Sequence, residues 1–193
     1  KNHCHLWRIG FRMKKIMLLG LISFLWADFS ANVLVSANAG SHNKMPDIIV
    51  DGNGTIHVVW INNDDNKNLF YANSSDHGNS FSTPIQINTV SGHVSDIMYS
   101  GPKIAEFGGI LHAIWADSRH GYDETNIYYS QSTDGGTTWT EEAPIGDVSS
   151  FNLYPEITTS EAGKIHVIYF QYNRRFLSFE HIYHIASSDT GQT

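Results

Sequence analysis

The 193-residue chain has a single cysteine, Cys4. One thiol excludes an intrachain disulfide framework and a cysteine-held zinc site. Positive charge is also scarce: twelve Lys and Arg face nineteen Asp and Glu, a net of −7. So acidic a chain is a poor candidate for binding a phosphate backbone, which needs basic patches, and nucleic acid is not an expected partner. The longest apolar stretch, Ile16–Ala27, has 12 residues, short of the roughly 20 that a bilayer-spanning helix needs. Helical periodicity is missing beyond residue 39. With 41% hydrophobic and 16% charged residues, the composition is nevertheless that of a folded protein and not of a disordered one.

The short apolar stretch reads as an export signal. Met13-Lys14-Lys15 supplies a basic start, Ile16–Ala27 the apolar centre, and Ala37-Asn38-Ala39 a small-x-small cleavage site. Residues 1–12 are expected to be an upstream segment, residues 13–39 a signal peptide and residues 40–193 the exported part, with cleavage after Ala31 as the weaker alternative. Removal of residues 1–39 leaves seven Lys and Arg against eighteen Asp and Glu, a net of −11, and no thiol. That suits an oxidising compartment. The expected location is secreted, extracellular or periplasmic, with no stable membrane span once the signal is removed.

What the sequence does contain is an internal repeat. Thr55-Ile56-His57-Val58-Val59-Trp60, Ile110-Leu111-His112-Ala113-Ile114-Trp115 and Lys164-Ile165-His166-Val167-Ile168-Tyr169 share one pattern, with their histidines almost evenly spaced. Before each lies a proline (Pro46, Pro102, Pro155), and after each a second strand (Asn68–Ser74, Asn126–Ser132, His181–Ser187). Those strands run into SSDHGNSF, STDGGTTW and SSDTGQT turns, whose aspartates Asp76, Asp134 and Asp189 keep nearly the same spacing. A period of about 55 marks a repeat architecture. The second unit reads as four strands, Lys103–Phe107, Ile110–Ala116, Asn126–Ser132 and Trp139–Ile145, with Gly108-Gly109 as a hairpin turn. Repeated four-stranded units suggest propeller blades, here near residues 45–90, 101–147 and 154–193.

In each turn the aspartate can accept backbone N–H groups two or three residues on, and Gly78 or Gly136 permits the left-handed backbone. Ser80 or Thr138 can tie the hairpin across, while Phe81 or Trp139 fills the gap between neighbouring sheets. The turns lack the alternating acids and the terminal glutamate of a calcium loop. No metal site and no cofactor are expected.

The Ser-x-Asp-x-Gly-x-Thr-Trp turn resembles the Asp-box, or bacterial neuraminidase repeat, of sialidase-like β-propellers. Ser132, Asp134, Gly136, Thr138 and Trp139 match it completely. Ser74, Asp76, Gly78, Ser80 and Phe81 match with Phe for Trp, and Ser187, Asp189 and Gly191 match up to Thr193. The resemblance implies an all-β fold of about three four-stranded blades, the third incomplete, from a six-bladed ring. It also implies a secreted protein that acts on or binds glycans, an exo-α-sialidase-type glycoside hydrolase if further blades complete it. On this reading the chain is an incomplete gene product, inactive alone and prone to self-association. The alternatives are a non-catalytic propeller for glycan or protein binding and a structural segment of a larger surface protein.

Strand parity puts the Asp-box turns on one face of the blades. The variable loops Asn62–Lys67, Asp117–Thr125 and Gln171–Glu180 lie on the other, the usual place for a binding surface. Candidate ligand-binding residues there are Asp64, Asp65, Asp117, Arg119, Tyr122, Asp123, Tyr172 and Arg174. Carboxylates can bind hydroxyls, arginine a carboxylate, and tyrosine a sugar ring. Arg119, flanked by Asp117 and Asp123, could instead form an ion pair within its loop.

Sialidases hold the sugar carboxylate with three arginines, the first in an Arg-Ile-Pro motif. Here Lys44-Met45-Pro46 stands at that place. Lysine lacks the planar fork, so Lys44 is a candidate but altered ligand. Arg119, Arg174 and Arg175 map to no member of the triad, and no tyrosine–glutamate nucleophile pair can be placed. The catalytic residues therefore remain unassigned. The repeated His57, His112 and His166 are expected to fill one structural niche in each blade and not to converge on a metal.

Overall fold

A computed structural model describes residues 30–64, 66–173, 178–187, 189 and 191. Most of the expected signal peptide, together with Asp65, Arg174 and Arg175, lies outside the described residues. Residues 32–193 form one compact unit, and among the described residues there are eleven strands in three antiparallel sheets. The first sheet contains β1 (Asn43–Val50), β2 (Ile56–Asn62), β3 (Asn68–Ser74) and β4 (Ile85–Gln86), hydrogen-bonded in that order. The second contains β5 (Lys103–Phe107), β6 (Ile110–Asp117), β7 (Asn126–Ser132) and β8 (Ala143–Ile145), with the same order. In the third, β10 (Ile165–Asn173) lies between β9 (Phe151–Thr159) and β11 (Ser178–Ser187).

Alternation along the strands gives each sheet two apolar faces. Val59, Ile61, Leu69 and Tyr71 of the first sheet pack with Ile104, Leu111, Ala113 and Trp115 of the second. Ile114, Ala116 and Ile127 on the second sheet's opposite face pack with Leu153, Ile165, Val167 and Tyr169 of the third. The sheets are therefore successive blades stacked face to face.

Two departures from the sequence expectation have local causes. β8 begins at Ala143 and not at Trp139. Trp139 leaves the ladder to lie edge-on against Tyr71 of the first blade, with ring centroids 5.4 Å apart. Glu142 turns inward to accept the Thr89 and Val90 backbone N–H groups at 2.9 and 3.2 Å. Pro46 and Pro155 sit inside β1 and β9, at breaks in register between Lys44 and Asp47 and opposite Ile168/Phe170. A proline cannot donate to the ladder and is tolerated at such a bulge. The preceding residues, Met45 and Tyr154, have positive φ of 54° and 53°.

The repeated histidines occupy one register position. His57 Nδ1 lies 2.7 Å from the Tyr71 hydroxyl, and His112 Nδ1 lies 2.8 Å from that of Tyr129. In the third blade His184 replaces the tyrosine, and His166 Nδ1 lies 3.1 Å from its Nε2. Among the described residues no group of three or more His, Cys, Asp or Glu side chains is placed to hold a metal ion.

Candidate functional site

The strand order puts the turns after the first and third strands of each blade at one end. The loops after the second and fourth strands lie at the other. The Ser-x-Asp-x-Gly turns occupy the first end and are internally satisfied. Ser74 Oγ donates to Asp76 Oδ1 at 2.7 Å and accepts Gly78 N–H at 2.9 Å; Ser80 donates to Asp76 through its N–H (2.9 Å) and its hydroxyl (2.6 Å). Ser132, Asp134, Gly136 and Thr138 repeat this set at 2.8, 2.8, 2.9 and 2.6 Å. In the third blade Ser187 donates to Asp189 and accepts Gly191 N–H at 3.0 Å. The aspartate thus accepts the N–H of Ser80 or Thr138, one position further on than the sequence suggested. These bonds, led by those from Ser80 and Thr138, pull the Asp76 and Asp134 carboxyls down to about 2. Trp139 Nε1 donates to the Gly136 carbonyl, and Phe81 packs on the far face of the first blade.

At the loop end, Lys44 and Lys67 share one carboxylate. Lys44 Nζ binds Asp96 Oδ2, and Lys67 Nζ lies 2.6 Å from Asp96 Oδ1. Lys44 is the second residue of β1, Lys67 closes the β2–β3 loop, and Asp96 lies in the link to the second blade. Burial pushes the Asp96 carboxyl up, but the two ammonium groups outweigh it and hold the carboxyl below its usual range. Two cations on one carboxylate leave the cluster with a net positive charge.

The Asp96 segment continues through a short turn at Ile97–Tyr99, in which both Met98 and Tyr99 have positive φ (51° and 64°). Two consecutive non-glycine residues in that region store backbone strain. The turn is anchored by Tyr154, whose hydroxyl donates to the Met98 carbonyl and whose N–H donates to Ser100 Oγ at 2.7 Å. Tyr99, whose N–H donates to the Asp96 carbonyl at 3.3 Å, is left 85% exposed. Lys67, Asp96 and Tyr99 were not singled out in the sequence. The two lysines belong to different elements, and the bulge at Pro46 that sets Lys44 carries no charge signal.

The other candidates divide into two groups. Asp64 accepts Ser41 N–H at 2.6 Å, Ser41 Oγ at 3.0 Å and His42 N–H at 3.1 Å, so it anchors the segment before β1. Arg119 grips Asp117 through Nε and Nη2, both at 2.9 Å, and reaches Glu142 at 2.8 Å. Its guanidinium lies 4.0 Å from the centroid of the Tyr128 ring. With Asp117 and Glu142 side chains fully buried and that of Arg119 only 14% exposed, this network braces the β6–β7 loop against the link between blades. The partner of Arg119 beyond Asp117 is thus Glu142, which lies past the next strand and its turn.

Asp123 and Tyr172, by contrast, are brought together. With Ser149, Ser150, Gln171 and Glu180 they line a polar groove of about 460 Å³ between the loops of the second and third blades. Tyr172 packs edge-on against Phe151, and half-exposed Tyr122 leans on the same ring. Loop-end chemistry is therefore of two kinds: ammonium groups beside an exposed phenol, and a groove of carboxylate, amide and hydroxyl groups suited to sugar hydroxyls.

Neither a family model nor a curated protein sequence matches the chain. Solved structures do. The Hadza microbial sialidase Hz136 superposes with a TM-score of 0.62 at 18% identity, over 79% of this chain and 36% of that one. The endo-arabinase from Bacteroides thetaiotaomicron VPI-5482 gives 0.54 at 14% identity, over 84% and 56%. The α-L-arabinofuranosidase Arb93A from Fusarium graminearum gives 0.53 at 17%, over 77% and 46%. At such identities the likeness is one of fold: the chain is an all-β protein built from β-propeller blades. It spans between about a third and just over half of the length of these structures. Among the described residues no helix is long and apolar enough to cross a membrane.

Proposed function

We propose that the chain belongs to a secreted, sialidase-like Asp-box propeller that acts on or binds glycans through its loop end. The observation that carries this reading is the placing of Lys44, Lys67 and Asp96 beside the exposed Tyr99 at the end opposite the Ser-x-Asp-x-Gly turns. A net-positive cluster next to an aromatic platform suits an acidic sugar, and the Asp123–Tyr172 groove extends the same surface with hydroxyl-binding groups. The structural neighbours, a sialidase, an endo-arabinase and an arabinofuranosidase, support carbohydrate as the ligand class. So do three turns of Asp-box pattern. Hydrolysis of the exo-α-sialidase type would require residues beyond those described.

One observation favours binding without catalysis in this chain. Lys44 is already paired with Asp96, and Arg119 is consumed by Asp117 and Glu142. Titrating the protein with a panel of sialylated and arabinose-containing oligosaccharides, alongside turnover of a fluorogenic sialoside, tests both readings. Saturable binding without turnover supports the binding reading; turnover assigns hydrolysis; the absence of both binding and turnover overturns the proposal.

A further inference from the structure

Trp60 and Trp115 occupy the same position in β2 and β6, but among the described residues only Trp115 faces another sheet. Trp115 faces the first blade and is buried by it. Trp60 points to the opposite side of the first blade, away from the second. It is nevertheless only 3% exposed. Ala39, Val58 and Ala72 are buried with it, Val35, Ile56, Phe70 and Phe81 pack against the cluster, and the Phe70 ring stacks on Trp60 with centroids 6.1 Å apart.

The segment before β1 is fastened by polar bonds along its length. Ala39 N–H donates to the Ser36 carbonyl at 3.1 Å. The Asn62 amide donates to the Ala39 carbonyl and, at 3.1 Å, to Asn43 Oδ1, which also accepts Trp60 Nε1–H at 2.9 Å. Asn63 N–H donates to the His42 carbonyl at 3.0 Å. Asp64 accepts the Ser41 and His42 N–H groups. Gly40, at φ +81°, lies so close that a Cβ there would fall 1.6 Å from Asp64 Oδ2. An unanchored tail would have neither a buried alanine nor such a seam.

We propose that residues 32–43 are retained as a strap packed on the outer face of the first sheet, and that the export signal is removed after Ala31. This rests on the export reading. A cut after Ala39, the site expected from sequence, would strip Val35 and Ala39 from the Trp60 cluster and remove one of the three acceptors of the Asn62 amide. Hydrolysis of the Ala31–Asn32 amide by a signal peptidase consumes one water, leaves a carboxylate on Ala31 and an ammonium on Asn32, and keeps the strap whole. The compact unit begins at Asn32.

The test is to express the full chain with its own leader in an exporting host and sequence the product's N-terminus. Asn32, or any residue before Val35, is expected; Gly40 overturns the proposal. Ala39→Glu should leave the N-terminus unchanged, whereas loss of processing in that variant would locate the cut at Ala39 and overturn it too. If no processing occurs, the export reading fails and hydrogen exchange on the intact chain decides the strap. The Ala39, Ser41 and His42 amides should then exchange at least about tenfold more slowly than in an unstructured peptide. Exchange at the unstructured rate would contradict the strap.

Discussion

The Tyr71 hydroxyl of the first blade donates to the Gly135 carbonyl in the turn of the second, at 3.0 Å. The tyrosine ring lies over the next residue, Gly136, where a Cβ would fall 2.2 Å from the ring. The arrangement recurs one junction later, where a Cβ on Gly191 would fall 2.0 Å from the Tyr129 hydroxyl. Gly136 and Gly191 thus serve their own turns and also the packing of the preceding blade.

Gly136→Ala and Gly135→Ala separate these two roles. Both residues have positive φ, 90° and 72°, but a Cβ on Gly135 meets nothing within 4 Å. Gly135→Ala should cost about 1–2 kcal/mol, the penalty of the left-handed backbone alone. Gly136→Ala should cost about 3 kcal/mol or more, because Tyr71 must also move. Urea denaturation of the two variants measures the difference, and equal losses would rule out the blade-to-blade role.

Arg119→Met should destabilise the protein by about 3–5 kcal/mol, since it leaves Asp117 and Glu142 buried without their cation. If Arg119 instead served a ligand, the variant would lose binding with its melting temperature unchanged. Thermal denaturation and glycan titration of the same sample distinguish the two.

Acid should weaken the fold in two steps. Burial pulls the His112 imidazole from its usual 6.5 down to about 4. Unfolded chain therefore takes up this proton first, and stability falls as pH drops from about 6.5 towards 4. Burial pushes the Glu142 carboxyl up, but the Thr89 N–H, Arg119 and further backbone bonds prevail and bring it from 4.5 down to about 2. Its contribution is intact above about 4.5 and is lost between there and 2. His112→Gln should flatten the upper step of a stability–pH profile and leave the lower one. An unchanged upper step would show that another group sets it.

Lys44→Arg tests the loop end. If Lys44 contacts an acidic sugar, the guanidinium fork should tighten binding of a sialoside. If its role ends at Asp96, affinity should stay within error. Calorimetric titration with 3′-sialyllactose gives the answer.

The architecture was legible because its signals are local and repeated: the His-x-x-Trp strands, the Ser-x-Asp-x-Gly turns and the glycine pair at 108–109. Strand parity alone separated the turn end from the loop end. Of the candidate ligand residues, Lys44 lies in the lysine–Asp96 cluster, and Asp123 and Tyr172 line one groove. Asp64, Asp117 and Arg119 have the residue types of ligand contacts, but they are paired with groups that sequence distance hides. Asp64 meets Ser41 and His42, and Arg119 meets Glu142. Lys67 and Asp96 were missed because neither lies in a motif; the β-bulge at Pro46 and the path of the link between blades bring them to Lys44.

The most direct test of the glycan reading is to titrate 3′-sialyllactose into the full chain and into the Lys44→Ala/Lys67→Ala double variant, with circular dichroism to confirm that both are folded. Saturable binding to the wild-type chain that weakens at least about tenfold, or about 1.4 kcal/mol, in the double variant is predicted. Binding of equal strength to both would remove the lysine cluster from the site, and no binding to the wild-type chain would contradict the account.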